Sequence, residues 1–228
     1  MNRLVARYTQ LHGAVFERLN YLDGIAPLLL RLYLAPIMMA AGLHKFVQFD
    51  AMVGWFGDAE FGLGLPVPKL MVILAASSEL VGGAALLIGF AVRWFALPLM
   101  ISMAVAAATV HWQQGWFAIA PGDPETSTAK ILAMAGIPAA QRSLENSTEV
   151  GIRAAAAKRI LKAHGNYDWL TERGGFVVLN NGIEFAATYF IMLLSLFFTG
   201  GGRFTSVDYW LAQRWWRVQP VQSASLSR

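Results

Sequence analysis

Five ionisable side chains stand inside or at the ends of runs that would otherwise dissolve in hydrocarbon: Arg31, His44, Glu79, His111 and Glu184. Glu79 is the sharpest case, because it interrupts KLMVILAASSELVGGAALLIGFAVR over residues 69–93. It lies about 12 residues, or roughly 18 Å of helix, from Val67, just before that run. A carboxylate without a partner at such a depth costs several kcal/mol, so it is expected to face other helices and either meet a cation or carry a proton. Arg31 is the fixed cation deepest in an apolar run, and Glu184 is a second acid in another. One guanidinium cannot neutralise two carboxyls, so Arg31 is expected to hold one glutamate and leave the other to take up a proton. Such a set suits proton-coupled redox chemistry or transport. The competing reading is polar glue that fixes helix register.

His44 and His111 fall at the ends of two apolar runs, with Met38, Met39, Met100 and Met103 one or two turns deeper. Imidazole and thioether together suit copper. Alternatively, the histidines hydrogen-bond at an interface while the methionines fill core gaps. Lys45 is expected to reach outward to the polar surface.

The elements that must position these groups are membrane-spanning helices. Of 228 residues, 56% are hydrophobic and 14% charged, well below the quarter or so that soluble domains carry. Four runs are long enough, at about 20 residues, to cross a bilayer: 25–47, 67–90, 92–112 and 176–198. The expected fold is an all-α membrane protein, a four-transmembrane-helix bundle with a long extracytoplasmic loop between helices 3 and 4. Residues 1–24 form a polar leader, 25–209 the transmembrane domain with an insertion at about 113–175, and 210–228 a tail. The chain has no cysteine, which removes disulfides and thiolate metal sites. Its net charge of +4 is scattered between apolar runs instead of forming a stripe, which argues against nucleic acid.

The bias of Arg3, Arg7, Arg18, Arg93, Arg203, Arg214, Arg217 and Arg228 puts both termini in the cytoplasm. Leu4, Val5, Tyr8, Leu11, Val15 and Leu19 are spaced as one apolar face of a helix, lying on the membrane surface or exposed as a leader. Within the insertion, Asn146 or Ser147 reads as an N-cap, followed by an alanine-rich helix that stops at Gly165. Residues 120–142 carry no clear signal.

Several segments resemble the DoxX family: RLYLAPIMMAAGLHKF, SSELVGGAALLIGFAVRWFALPLM, a histidine closing the third run, and GIEFAATYFIMLLSLFFTGGGRFTSVDYW. The matching positions are Arg31, Gly42 with Lys45 and Phe46, Glu79 with Gly82 and Gly83, Gly89 with Arg93, and Gly200–Gly202 with Ser206 and Asp208. The long insertion and stretches such as WFGDAEFGLGLPVP resemble the HvfX branch. That resemblance implies a bacterial inner-membrane protein related to the membrane subunit of thiosulfate:quinone oxidoreductase. It also implies association with the maturation of copper-binding, ribosomally made peptides (RiPPs). Three function classes follow. The first is a quinone-linked oxidoreductase subunit, with Glu79, Glu184 and Arg31 as catalytic groups and His44 and His111 contacting quinone or copper. The second is a transporter or export partner for copper or the peptide. The third is a non-catalytic scaffold for RiPP maturation enzymes or the precursor peptide. Each can work as an oligomer in the lipid bilayer.

Overall fold

The computed structural model describes residues 2–215, so Arg217 and Arg228, counted toward a cytoplasmic tail, lie outside the described residues. In chain order the helices are α1 (Asn2–Leu19), α2 (Ile25–Val47), α3 (Phe49–Gly57), α4 (Pro68–Ile88), α5 (Val92–Ala106), α6 (Ala129–Met134), α7 (Pro138–His164), α8 (Tyr167–Thr171), α9 (Glu184–Thr199) and α10 (Val207–Trp215). A π-helical turn (Ala107–His111) and a 3-10 turn (Trp112–Gln114) extend α5. No strand occurs among the described residues. The chain divides into two units, one of Met1–Ser102 with Tyr189–Arg228 and the other of Met103–Thr188.

In the first unit α2 and α4 run antiparallel with their backbones close. A Cβ on Gly42 would stand 2.6 Å from the Leu80 backbone nitrogen and 2.7 Å from the Ala76 carbonyl oxygen. One on Gly83 would meet Met39 and the Ala35 carbonyl. Small residues on both helices therefore set the separation, as in many membrane helix pairs. Leu34, Ala35 and Met38 of α2 and Val72, Ala76 and Leu86 of α4 are fully buried. The Leu99 side chain of α5 fills the space beside Gly82, and the Ser78 and Ser102 hydroxyls lie 3.0 Å apart. From α9, Leu193 and Leu196 are completely buried, while Tyr189 packs its ring 6.4 Å from that of Tyr33. α1 is helical across the predicted apolar spacing, and Val5, Tyr8 and Leu11 are exposed on it.

One end of this unit is fastened by polar contacts. α4 stops at Gly89, whose φ of +73° suits glycine. Asp208, in the first turn of α10, accepts hydrogen bonds from the Ala91 and Val92 N–H groups at 2.6 and 2.9 Å. Its own N–H donates to the Gly89 carbonyl at 3.0 Å. The acid thus caps the start of α5 from another helix. Ser206 caps α10 by accepting the Tyr209 N–H at 3.2 Å. α10 runs on to Trp215.

Two expectations need correction. The fourth run is not helical from residue 176: α9 begins at Glu184 and has 16 residues, about 24 Å. Asn180, Asn181 and Gly182 break it, with Asn181 at φ +56°, and the N–H groups of both asparagines donate to the Ala118 carbonyl at 2.9 Å. Among the described residues three helices are long and apolar enough to cross a membrane: Ile25–Val47, Pro68–Ile88 and Val92–Gln114. The insertion, within the second unit, is largely helical. α7 starts at Pro138, a favoured first position, rather than at Asn146 or Ser147. The Ser147 hydroxyl donates to the Ser143 carbonyl inside that helix. The stop at Gly165 is as expected.

The α2–α4 seam leads to a simple test. Overpacking costs about 1–3 kcal/mol, so Gly42→Val should lower the thermal unfolding midpoint of detergent-solubilised protein by several degrees. Gly54→Ala, where nothing lies within 4 Å, should leave it unchanged.

Candidate functional site

Glu79 occupies a core position of α4, in line with Val72, Ala76, Gly83 and Leu86. Its carboxylate Oε2 lies 2.6 Å from the Lys45 ammonium, and the side chains are 5% and 20% exposed respectively. The α2–α4 register explains the pairing. Gly42 sits against Ala76 and Leu80, so Lys45 is one turn toward the end of α2 and its four-carbon stem leans back to reach Glu79. Lys45 therefore does not reach outward to the polar surface as expected. It supplies the cation that a carboxylate in this stripe requires. One of its three N–H donors is used on Glu79, and the others are open to a further acceptor.

Arg31 does not pair with Glu79. In the same antiparallel register Arg31 lies opposite Gly89, where a Cβ would be 2.0 Å from Nη1. Glu79 is ten residues back along α4, about 15 Å, beyond the reach of a guanidinium. Arg31, 1% exposed, instead donates from Nη1 to the Gly201 carbonyl at 2.7 Å and from Nη2 to the Thr205 carbonyl at 2.9 Å. It ties α2 to the chain between α9 and α10.

The second unit holds Glu184 and His111. Glu184 opens α9 and is half-buried. Its Oε2 accepts the Ala118 N–H at 2.9 Å, and its own N–H donates to the Trp116 carbonyl. The carboxylate thus fastens residues 115–120 to the start of α9, a backbone role. His111 ends the π-turn, with Nδ1 2.7 Å from the Asn181 carbonyl oxygen. That contact orients the ring and leaves Nε2 available. His44, on α2 in the first unit, is exposed. Among the described residues no three His, Cys, Asp or Glu side chains are grouped to hold a metal ion.

Two residues have roles that residue order does not show. Lys45 stands in the GLHKF segment, but its partner depends on helix register. Asp208 stands in the SVD segment, and the N–H groups it caps are more than a hundred residues away in sequence.

Residues 26–112 match the DoxX family model. The DoxX segment runs from the start of α2 through the π-turn, and contains Arg31, His44, Lys45, Glu79, Gly89 and His111. Glu184, the insertion and the glycine run before Asp208 lie beyond it. No curated protein and no solved structure matches the chain. The match covers less than half of the chain, and among the described residues three helices are long and apolar enough to cross a membrane.

The ion pair predicts a coupled stability pattern. Lys45→Met leaves the Glu79 carboxylate buried without a cation and should cost about 3 kcal/mol, read as a lower unfolding midpoint. Lys45→Met/Glu79→Leu should recover most of that loss, because the uncompensated charge is gone. Additive losses in the double variant would contradict a direct pair.

Proposed function

We propose that this protein is a DoxX-like, quinone-linked redox subunit of a bacterial inner membrane, with Lys45 and Glu79 as its proton-handling site. The observation that carries the reading is a 2.6 Å ion pair set in the apolar stripe between α2 and α4. The residues fit a quinone headgroup: Lys45 has spare N–H donors and is partly accessible, Glu79 is an adjacent proton acceptor, and the surrounding core is apolar. Lys45 would hold and orient a carbonyl oxygen. Glu79 would hold the proton at its carboxyl oxygen, and the dry core would keep bulk water away. A bound quinone supplies two-electron, two-proton chemistry. Arg31 and Glu184 act on this reading as positioning residues, one at the junction of α9 and α10 and the other at the start of α9.

The same reading takes the protein as an HvfX-like member serving the maturation of copper-binding modified peptides, with four spans, the insertion outside and both termini in the cytoplasm. Copper enters as cargo of that system. His44 and His111 are proposed as individual contacts, since a closed site takes three or four ligands. A second reading, a scaffold or export partner for the peptide or its enzymes, is favoured by the exposed Ile131, Met134, Trp169 and Leu179 of the second unit. Under that reading, replacing the surface residues abolishes biological function while Lys45→Met/Glu79→Leu does not.

The test of the leading reading is the quinone content of protein purified from membranes, by solvent extraction. Wild type should carry quinone, and Lys45→Met/Glu79→Leu should carry at least about tenfold less, the loss expected from a charge-assisted hydrogen bond. Equal content in the two proteins would remove the pair from the site. No quinone in wild type would overturn the reading.

A further inference from the structure

At the fastened end of the first unit lies a cavity of about 1000 Å³, at the upper end of the range for small-molecule sites. The starts of α2 and α5, the end of α9 and residues of α10 line it. Its polar wall includes Arg93, Arg203 and the Gly200–Gly202 backbone, and its apolar wall includes Trp94, Tyr209 and Trp215. The cavity is therefore level with the ends of apolar helices, the depth at which tryptophan and tyrosine meet lipid headgroups.

The charges around it are unequal. Asp208 is committed to the Ala91 and Val92 N–H groups. Asp23 faces Arg203 at 3.6 Å. Arg93 donates from Nη2 to the Phe198 carbonyl at 3.1 Å and forms no ion pair among the described residues. Arg31, behind the glycine run, bonds carbonyl oxygens and is set electrostatically against Asp208, so the surplus positive charge is that of Arg93. The site is biased toward an anion, and guanidinium forks suit phosphate oxygens. A feature of α5 then separates a lipid from a soluble anion. Trp94, Leu97 and Ile101 are 77%, 38% and 64% exposed, at a spacing that aligns them on one face of the helix. That stripe leads away from the cavity along the apolar span and offers a bed for acyl chains.

We infer that the cavity is a binding site for an acidic phospholipid, with the phosphodiester held between Arg93 and Arg203 and an acyl chain laid along Trp94, Leu97 and Ile101. This site is separate from the Lys45–Glu79 pair and does not depend on the quinone reading. Basic recesses at helix ends are a recognised setting for such headgroups.

The test is native mass spectrometry of the full-length protein released from nanodiscs of mixed phosphatidylglycerol and phosphatidylcholine. Wild type should retain phosphatidylglycerol preferentially. Arg93→Gln should weaken that retention by about tenfold, and Arg203→Gln should weaken it in the same direction. Arg93→Lys keeps the charge without the planar fork and should retain part of the preference, which distinguishes a lost contact from a lost fold. Equal retention of the two lipids by wild type would overturn the proposal without recourse to any variant. An unchanged preference in folded Arg93→Gln would also overturn it. Binding of inorganic phosphate with no preference between the lipids would reassign the cavity to a soluble anion.

Discussion

A carboxylate cannot be left alone among alkyl side chains, and the arrangement of α2 against α4 follows from that constraint. Glu79 sits in the stripe that α4 turns to its neighbours, where solvent cannot offset the loss of hydration. Lys45 supplies the opposite charge from α2 at 2.6 Å. The contact is available only because Gly42 lets the two backbones close, which brings the Lys45 stem within reach. An ion pair held this way is a weak source of net stability, since its own desolvation is expensive. Its persistence in a small apolar bundle is better understood as a requirement of register or of chemistry.

The other buried ion serves a different purpose. Arg31 meets carbonyl oxygens rather than a carboxylate, while Asp208 meets backbone N–H groups rather than a cation. Both side chains satisfy polar backbone where helices start and stop, which is where a membrane bundle has orphan groups to cover. The two ends of the α2–α4 pair thus divide the work. One end joins helices through backbone capping, and the other places a proton donor and acceptor side by side.

Much of this was legible from residue order. The bounds of α2 fell at 25–47 as predicted, because an unbroken apolar run leaves little choice, and Pro68 and Gly89 punctuate α4 as strongly as any sequence signal can. α9 was overextended because the apolar residues 176–179 masked the break that Asn180, Asn181 and Gly182 impose. The start of α7 was misplaced because Ser147 can bond within a helix as well as cap one. The identity of the Glu79 partner was not legible at all. Arg31 was the expected cation and Lys45 was expected at the polar surface, and only the antiparallel register, with Gly42 beside Leu80 and Arg31 beside Gly89, reverses the two. That register is a property of packing, to which local periodicity is blind.

Lys45 holds Glu79 as a charged partner inside the bundle. Isotope-edited infrared spectroscopy of the protein in lipid, with labelled glutamate assigned through Glu79→Gln, tests it most directly. An ionised carboxylate band for Glu79 in wild type, replaced by a protonated carboxyl band in Lys45→Met, is the predicted result. A protonated Glu79 band already present in wild type, or one indifferent to Lys45→Met, would contradict the account.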